Sequence, residues 1–148
     1  MSGGGELRRT APLRSSSPTA RAKVSPPAKS ASKLEREAAD RAAEREAKRL
    51  VRARSGGRCE VCGIAAATNF SHRKGAGQGG EWSAANGLDA CGWGNTLGCH
   101  GRIHQRPEEA REHGWMLRRN QVPEEEPVDH AWLGRVLLTS DGMVIPAD

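Results

Sequence analysis

A chain of 148 residues with 36% hydrophobic and 3% aromatic side chains is long enough for one small domain but too apolar-poor for a conventional core along its whole length. Lys and Arg number 23 against 18 Asp and Glu, and the excess is uneven: residues 1–32 carry six basic and one acidic side chain, residues 107–148 four basic and nine acidic. The longest apolar run, Ile64 to Ala67, falls far short of the roughly 20 residues that cross a bilayer, and no apolar signal-peptide core follows the basic start, so a cytoplasmic rather than membrane or secreted protein is expected.

Residues 1–32 are mostly Gly, Ser, Pro, Ala and Arg without apolar period and read as a disordered basic tail. Such a tail either tethers DNA through salt-dependent contacts or merely solubilises. Composition changes at Ser32-Lys33-Leu34-Glu35, which has capping-box spacing. The next 20 residues lack Gly and Pro, predicting a charged helix over 33–54 that stops at Ser55-Gly56-Gly57. Glu37 with Arg41 and Glu44 with Lys48 stand in the favourable order for pairing along it. The apolar stripe is thin, predicting a helix that docks lightly or lies free. Arg45, Lys48, Arg49 and Arg52 form either a phosphate-facing side or a solvated charged face.

Cys59-Glu60-Val61-Cys62, followed by Gly63, has the two-residue gap of a zinc knuckle. Cys91 and Cys99 flank a Gly-rich insert flexible enough to bring them together, so the four cysteines form a candidate structural Zn2+ site. Zinc ligation contributes on the order of 10 kcal/mol to folding and would replace the missing core. Cys59, Cys62, Cys99 and His104 are an alternative ligand set that leaves Cys91 free. His100 and His104 stand four apart, one helical turn, and so could chelate one ion. Trp82 and Trp93 are expected to cover the small core, with stacking on nucleic acid as the alternative.

Taken in order, the C-x2-C pair, His72 followed by Arg73 and Lys74, the Gly-rich loop from Gly75 to Gly80, Asn86-Gly87-Leu88, then Cys91 and Cys99-His100 with His104, resemble the HNH endonuclease family in its zinc-containing form. The resemblance covers Arg58 to Arg106, about a third of the chain. It implies a small α+β fold, a zinc-stabilised treble clef around a ββα-metal site, over residues 55–113. It also implies a metal-dependent endonuclease that hydrolyses DNA to a 5′-phosphate and 3′-hydroxyl. His72 would be the general base and Asn86 the residue holding strand and loop in register. His100 would ligate a catalytic Mg2+, Mn2+, Ni2+ or Zn2+, with His104 a second ligand. The family places Asp or His before the base as a further ligand, and here that residue is Ser71, which leaves the shell open or passes the role to Asn69 or Thr68. The Cys91 to Cys99 spacing exceeds the usual two-residue gap and is similar to a variant in HNH proteins of bacterial viruses. Arg73, Lys74, Arg102 and Arg106 are candidate phosphate contacts. Double-stranded DNA and a viral DNA-packaging terminase are the partners this implies; a non-catalytic zinc-stabilised DNA-binding or adaptor module is the alternative that Ser71 keeps open.

Pro107 with Glu108 and Glu109 predicts a short helix ending before Gly114. Residues 114–148 are expected to form a small β appendage: a strand at Trp115-Met116-Leu117, then a hairpin from Arg135 to Thr139 and Met143 to Ile145 about Ser140-Asp141-Gly142. Trp115, Trp132, Val136, Leu138 and Val144 would pack it on the zinc module, and His113 and His130 are expected to be ordinary surface residues.

Overall fold

The computed structural model describes residues 30–147, so the basic tail expected over 1–32 lies almost wholly outside the described residues. Helix α1 spans Ala31–Ser55. It begins before the capping box: extended Ser30 is the N-cap, its carbonyl accepts from Lys33 and Leu34, and Ser32 lies inside the first turn. Gly56 ends the helix at φ 60°, a left-handed position that favours Gly. Glu44 pairs with Lys48 (2.6 Å) and Glu46 with Arg49 (2.7 Å) along the exposed side. Ala47, Val51 and Ser55, four apart, are buried, so only the C-terminal half docks.

After the cysteine knuckle come β1 (Asn69–His72) and β2 (Gly87–Ala90), an antiparallel pair in which Phe70 faces Asp89 and His72 faces Gly87. Helix α2 (Gly98–Gln105) completes a ββα order, and α3 (Pro107–Glu112) follows directly, with Pro107 in its first turn. The Phe70 ring lies over Gly87, where a Cβ would come within 2.1 Å of Phe70 Cζ. Gly87→Ala is therefore expected to expel that ring and lower the stability by about 1–3 kcal/mol in denaturant unfolding; an unchanged unfolding midpoint would contradict this packing.

Trp115-Met116-Leu117 is not a strand, contrary to its apolar pattern. Met116 N–H donates to Ala110 O and Leu117 N–H to Arg73 O, two unrelated partners, so no ladder forms. The second sheet is β3 (Val128–His130), β4 (Gly134–Leu138) and β5 (Val144–Pro146), antiparallel in that order, with Leu138 opposite Val144 across the expected hairpin. Strand β3 escapes sequence reading because it is three residues long and follows the acidic linker.

The molecule is thus a small mixed α/β fold with two antiparallel sheets and one apolar core. That core contains Cys59, Val61, Leu88 and Ile103 together with Trp115, Val136 and Leu138, with Val144 against it, so the C-terminal strands complete the core of the cysteine-rich segment. Trp132 lies outside this cluster, under the Arg58 guanidinium at 3.9 Å from its ring centroid.

Candidate functional site

The four cysteines converge from three directions: Cys59 and Cys62 from the knuckle, Cys91 from the end of β2 and Cys99 from the start of α2. All four sulfurs lie within 4.8 Å of one another, and Cys62 Sγ is 3.9 Å from Cys91 Sγ. The insert between Cys91 and Cys99 is pinched shut at Gly92 and Gly98, where a Cβ on Gly92 would fall 1.9 Å from Leu97 O. Only glycine permits that approach, and both residues have positive φ. Burial pushes the Cys59 and Cys99 thiols up, whereas Cys62, despite burial working upward, is brought down to about 7 by the backbone N–H groups of Ala65 and Ile64. Four clustered sulfurs suit a structural metal such as zinc, whose positive charge offsets their repulsion as thiolates. The alternative set with His104 is not assembled, because Cys91 is the fourth sulfur and His104 lines a separate cavity.

That cavity, about 470 Å³, is bounded by His72 and Phe70 of β1, His100 and His104 of α2, and Gln78 of the glycine-rich loop. Alternation along β1 puts Phe70 and His72 on one face and turns Ser71 to the other. Ser71 is buried and its hydroxyl has no hydrogen-bond partner. The His72 ring meets Trp82 edge-on at 4.3 Å and Phe70 at 5.0 Å between centroids. Burial holds the His72 imidazole below its ordinary pKa, with Lys48 adding to the effect and Glu44 opposing it. His100 is lowered by burial and then by its histidine neighbours, His104 and His72. The His100 and His104 rings stand 4.7 Å apart, and His100 Nδ1 is buried without a partner. Among the described residues, the cysteine cluster is the group of three or more metal-ligating side chains close enough to share an ion, so the histidine cavity offers at most a paired ligand set.

Asn86, 1% exposed, holds the loop beside this cavity. Its Oδ1 accepts from Lys74 N–H (2.7 Å), and its Nδ2 donates to Lys74 O and Glu81 O (both 2.9 Å). Thr68 and Asn69, considered as substitutes for Ser71, both donate to Gly92 O and do not line the histidine cavity, which corrects that expectation.

The basic residues divide differently from expectation. Arg73 is fully buried and donates to backbone carbonyls, so it is no phosphate contact. Lys74 Nζ donates to Gln121 O at 3.0 Å. Arg102 and Arg106 are exposed and both pair with Glu109. Trp93 is 72% exposed and covers nothing in the core, another correction. Trp82 stands against His72 and Phe70.

His130 also departs from expectation. It is buried, and its Nε2 lies 3.2 Å from Glu60 Oε1. Glu60 accepts from Arg54 Nε (2.6 Å) and from Asp89 N–H (2.8 Å), joining α1, β2 and β3 at the knuckle. Burial alone would raise the Glu60 carboxyl, but Arg54 and His130 hold it below its ordinary range. Glu60 sits between two cysteines, yet its partners are 6, 29 and 70 residues away in sequence, beyond any local pattern. His113, expected at the surface, pairs with Asp129 at 2.8 Å.

Comparison with protein-family models, curated proteins and solved structures finds no match for this chain. Among the described residues, no helix is long and apolar enough to cross a membrane.

Proposed function

We propose that this protein is a metal-dependent DNA endonuclease of the HNH type. The observation that carries the reading is that His72 on one strand and His100 with His104 on the following helix line one cavity, within a ββα order built beside the cysteine cluster. His72, kept neutral at working pH, accepts a proton from the attacking water through an imidazole nitrogen. Asn86 keeps the glycine-rich loop in register with the strand that carries His72. His100 and His104 would hold a divalent ion, leaving room in its shell for water and phosphate. That ion would supply neutralisation of charge developing on the phosphate and the leaving 3′ oxygen. The four cysteines would hold a separate structural zinc. Duplex DNA is the substrate this reading implies, and a viral packaging terminase the partner.

A second reading, a non-catalytic zinc-stabilised DNA-binding or adaptor module, is favoured by the inward-facing Ser71. Purified protein incubated with supercoiled plasmid and Mg2+, Mn2+ or Ni2+ separates the two. Wild type should nick the plasmid, and His72→Ala should lower the rate at least about 100-fold while retaining zinc. Plasmid left uncut by wild type under every metal would support the second reading, and equal nicking by both proteins would remove the role assigned to His72. Metal-dependent cleavage by His100→Ala at the wild-type rate would remove the metal role assigned to His100.

A further inference from the structure

A second cleft, about 390 Å³, lies between α1 and β1 and shares the Phe70 wall with the histidine cavity. Its volume falls in the range of small-molecule sites, ~300–1,000 Å³. Trp82 forms another part of the wall and also touches His72. Two cations stand at its border: Lys48 Nζ is 5.3 Å from the Trp82 ring centroid, and Arg52 reaches Asp89 at 3.3 Å. Lys48 and Arg52 are each about half exposed; Lys48 is paired with Glu44 at 2.6 Å and Arg52 with Asp89, so a ligand phosphate would compete with these carboxylates for the two cations. The one carboxylate of the lining, Asp89, accepts from Ser55 Oγ at 2.6 Å and is partly offset by Arg52. Aromatic surface flanked by cations is the chemistry that holds a nucleotide, base on ring and phosphate on ammonium or guanidinium.

The geometry points to this cleft as a subsite for one unpaired nucleotide of the DNA strand cut at His72, with its base on Trp82 and Phe70 and its phosphate on Lys48 and Arg52. The inference rests on the nuclease reading and adds a substrate preference to it. A base seated between α1 and β1 must leave the duplex stack, so DNA with an unpaired base is bound in preference to a perfect duplex. Because Phe70 walls both cavities, a strand seated in the cleft would lie beside the cavity that His72 lines.

The test is fluorescence anisotropy with the full zinc-loaded chain and no other divalent ion, using three labelled probes of equal length: a single strand, a perfect duplex and a duplex with a central two-base mismatch. The single strand and the mismatch should bind about fivefold tighter than the perfect duplex or better. Trp82→Ala should weaken single-strand binding roughly tenfold, and Lys48→Ala and Arg52→Ala should each flatten the salt dependence by about 0.7 in log–log slope. Lys48 lines the cleft yet is half exposed and outside the core, so its variant tests the cleft even where Trp82→Ala fails to fold. Equal affinity for the three probes, absence of binding, or wild-type binding by Lys48→Ala would overturn the subsite. Variant-sensitive binding to unpaired DNA, with plasmid left uncut under every metal, would sink the nuclease reading and leave the subsite standing. Cleavage with variant-insensitive binding would do the reverse.

Discussion

With a metal held by the four-cysteine cluster, stripping that metal is expected to unfold the protein. Cys59 is fully buried and Cys99 nearly so, and both belong to the apolar core rather than to a surface clip. The cluster ties the knuckle, the end of β2 and the start of α2 to one point, and beyond the cysteines these segments add Val61, Leu88 and Ile103 to the core. The core they share is made largely of small side chains such as Ala85, Ala110, Val61 and Val128. Structural zinc is worth about 10–16 kcal/mol in small metal-stabilised domains, comparable with the entire ~5–15 kcal/mol that separates folded from unfolded states. Loss of the ion also leaves thiols that burial disfavours in their charged form, so no ionic replacement forms at Cys59 or Cys99. Treatment with a zinc-selective chelator, or Cys99→Ser, should abolish the cooperative thermal transition and near-ultraviolet circular dichroism, and restoring zinc should recover both in the chelated wild type. A cooperative transition within a few degrees of the untreated protein, with metal verified absent, would overturn the structural role of the cluster.

Features with local causes were legible in the chain. Helix α1 follows from a run of strong helix formers ended by Gly56, and the β4–β5 hairpin from its Ser-Asp-Gly turn. The convergence of the cysteines was legible because a two-residue gap and a Gly-rich insert restrict where the sulfurs can go. What escaped depends on partners far along the chain. Trp115 to Leu117 has a strand's composition, but its N–H groups go to α3 and to the end of β1. His130 reads as an isolated polar residue until Glu60 is placed beside it. The basic residues were the least legible, since a charge pattern carries no sign of whether a cation meets water, a carboxylate or buried carbonyls. Arg102 meets Glu109 and Arg54 meets Glu60, whereas Arg73 meets main chain, two different outcomes for one side-chain type.

Arg73→Ala is expected to be among the most damaging single substitutions outside the cysteines. Its Nε donates to Gly114 O (2.8 Å), Nη1 to Ala85 O (3.1 Å) and Pro123 O (2.8 Å), and Nη2 to Glu126 O (2.7 Å) and Pro127 O (3.4 Å). A single guanidinium thus supplies the donors for loop carbonyls that could not otherwise be buried without cost. Burial, with Arg54 adding to it and Glu126 opposing, lowers the Arg73 pKa to about 10, which still leaves the group charged at neutral pH. Its main chain also stitches the end of β1, where Arg73 N–H donates to Asn86 O and Arg73 O accepts from Leu117 N–H. Truncation would strand several carbonyls at about 1–3 kcal/mol for each that water cannot reach, so a total loss of about 3–5 kcal/mol is expected, after relaxation of the exposed part of the loop. Arg73→Lys should recover only a small part of this, because three donors on one nitrogen cannot match a planar fork aimed at carbonyls on opposite sides. Denaturant unfolding of the zinc-loaded proteins measures both losses. The expected order is wild type, then Lys, then Ala, with Lys much nearer Ala; a Lys variant as stable as wild type would mean that charge rather than fork geometry holds the loop.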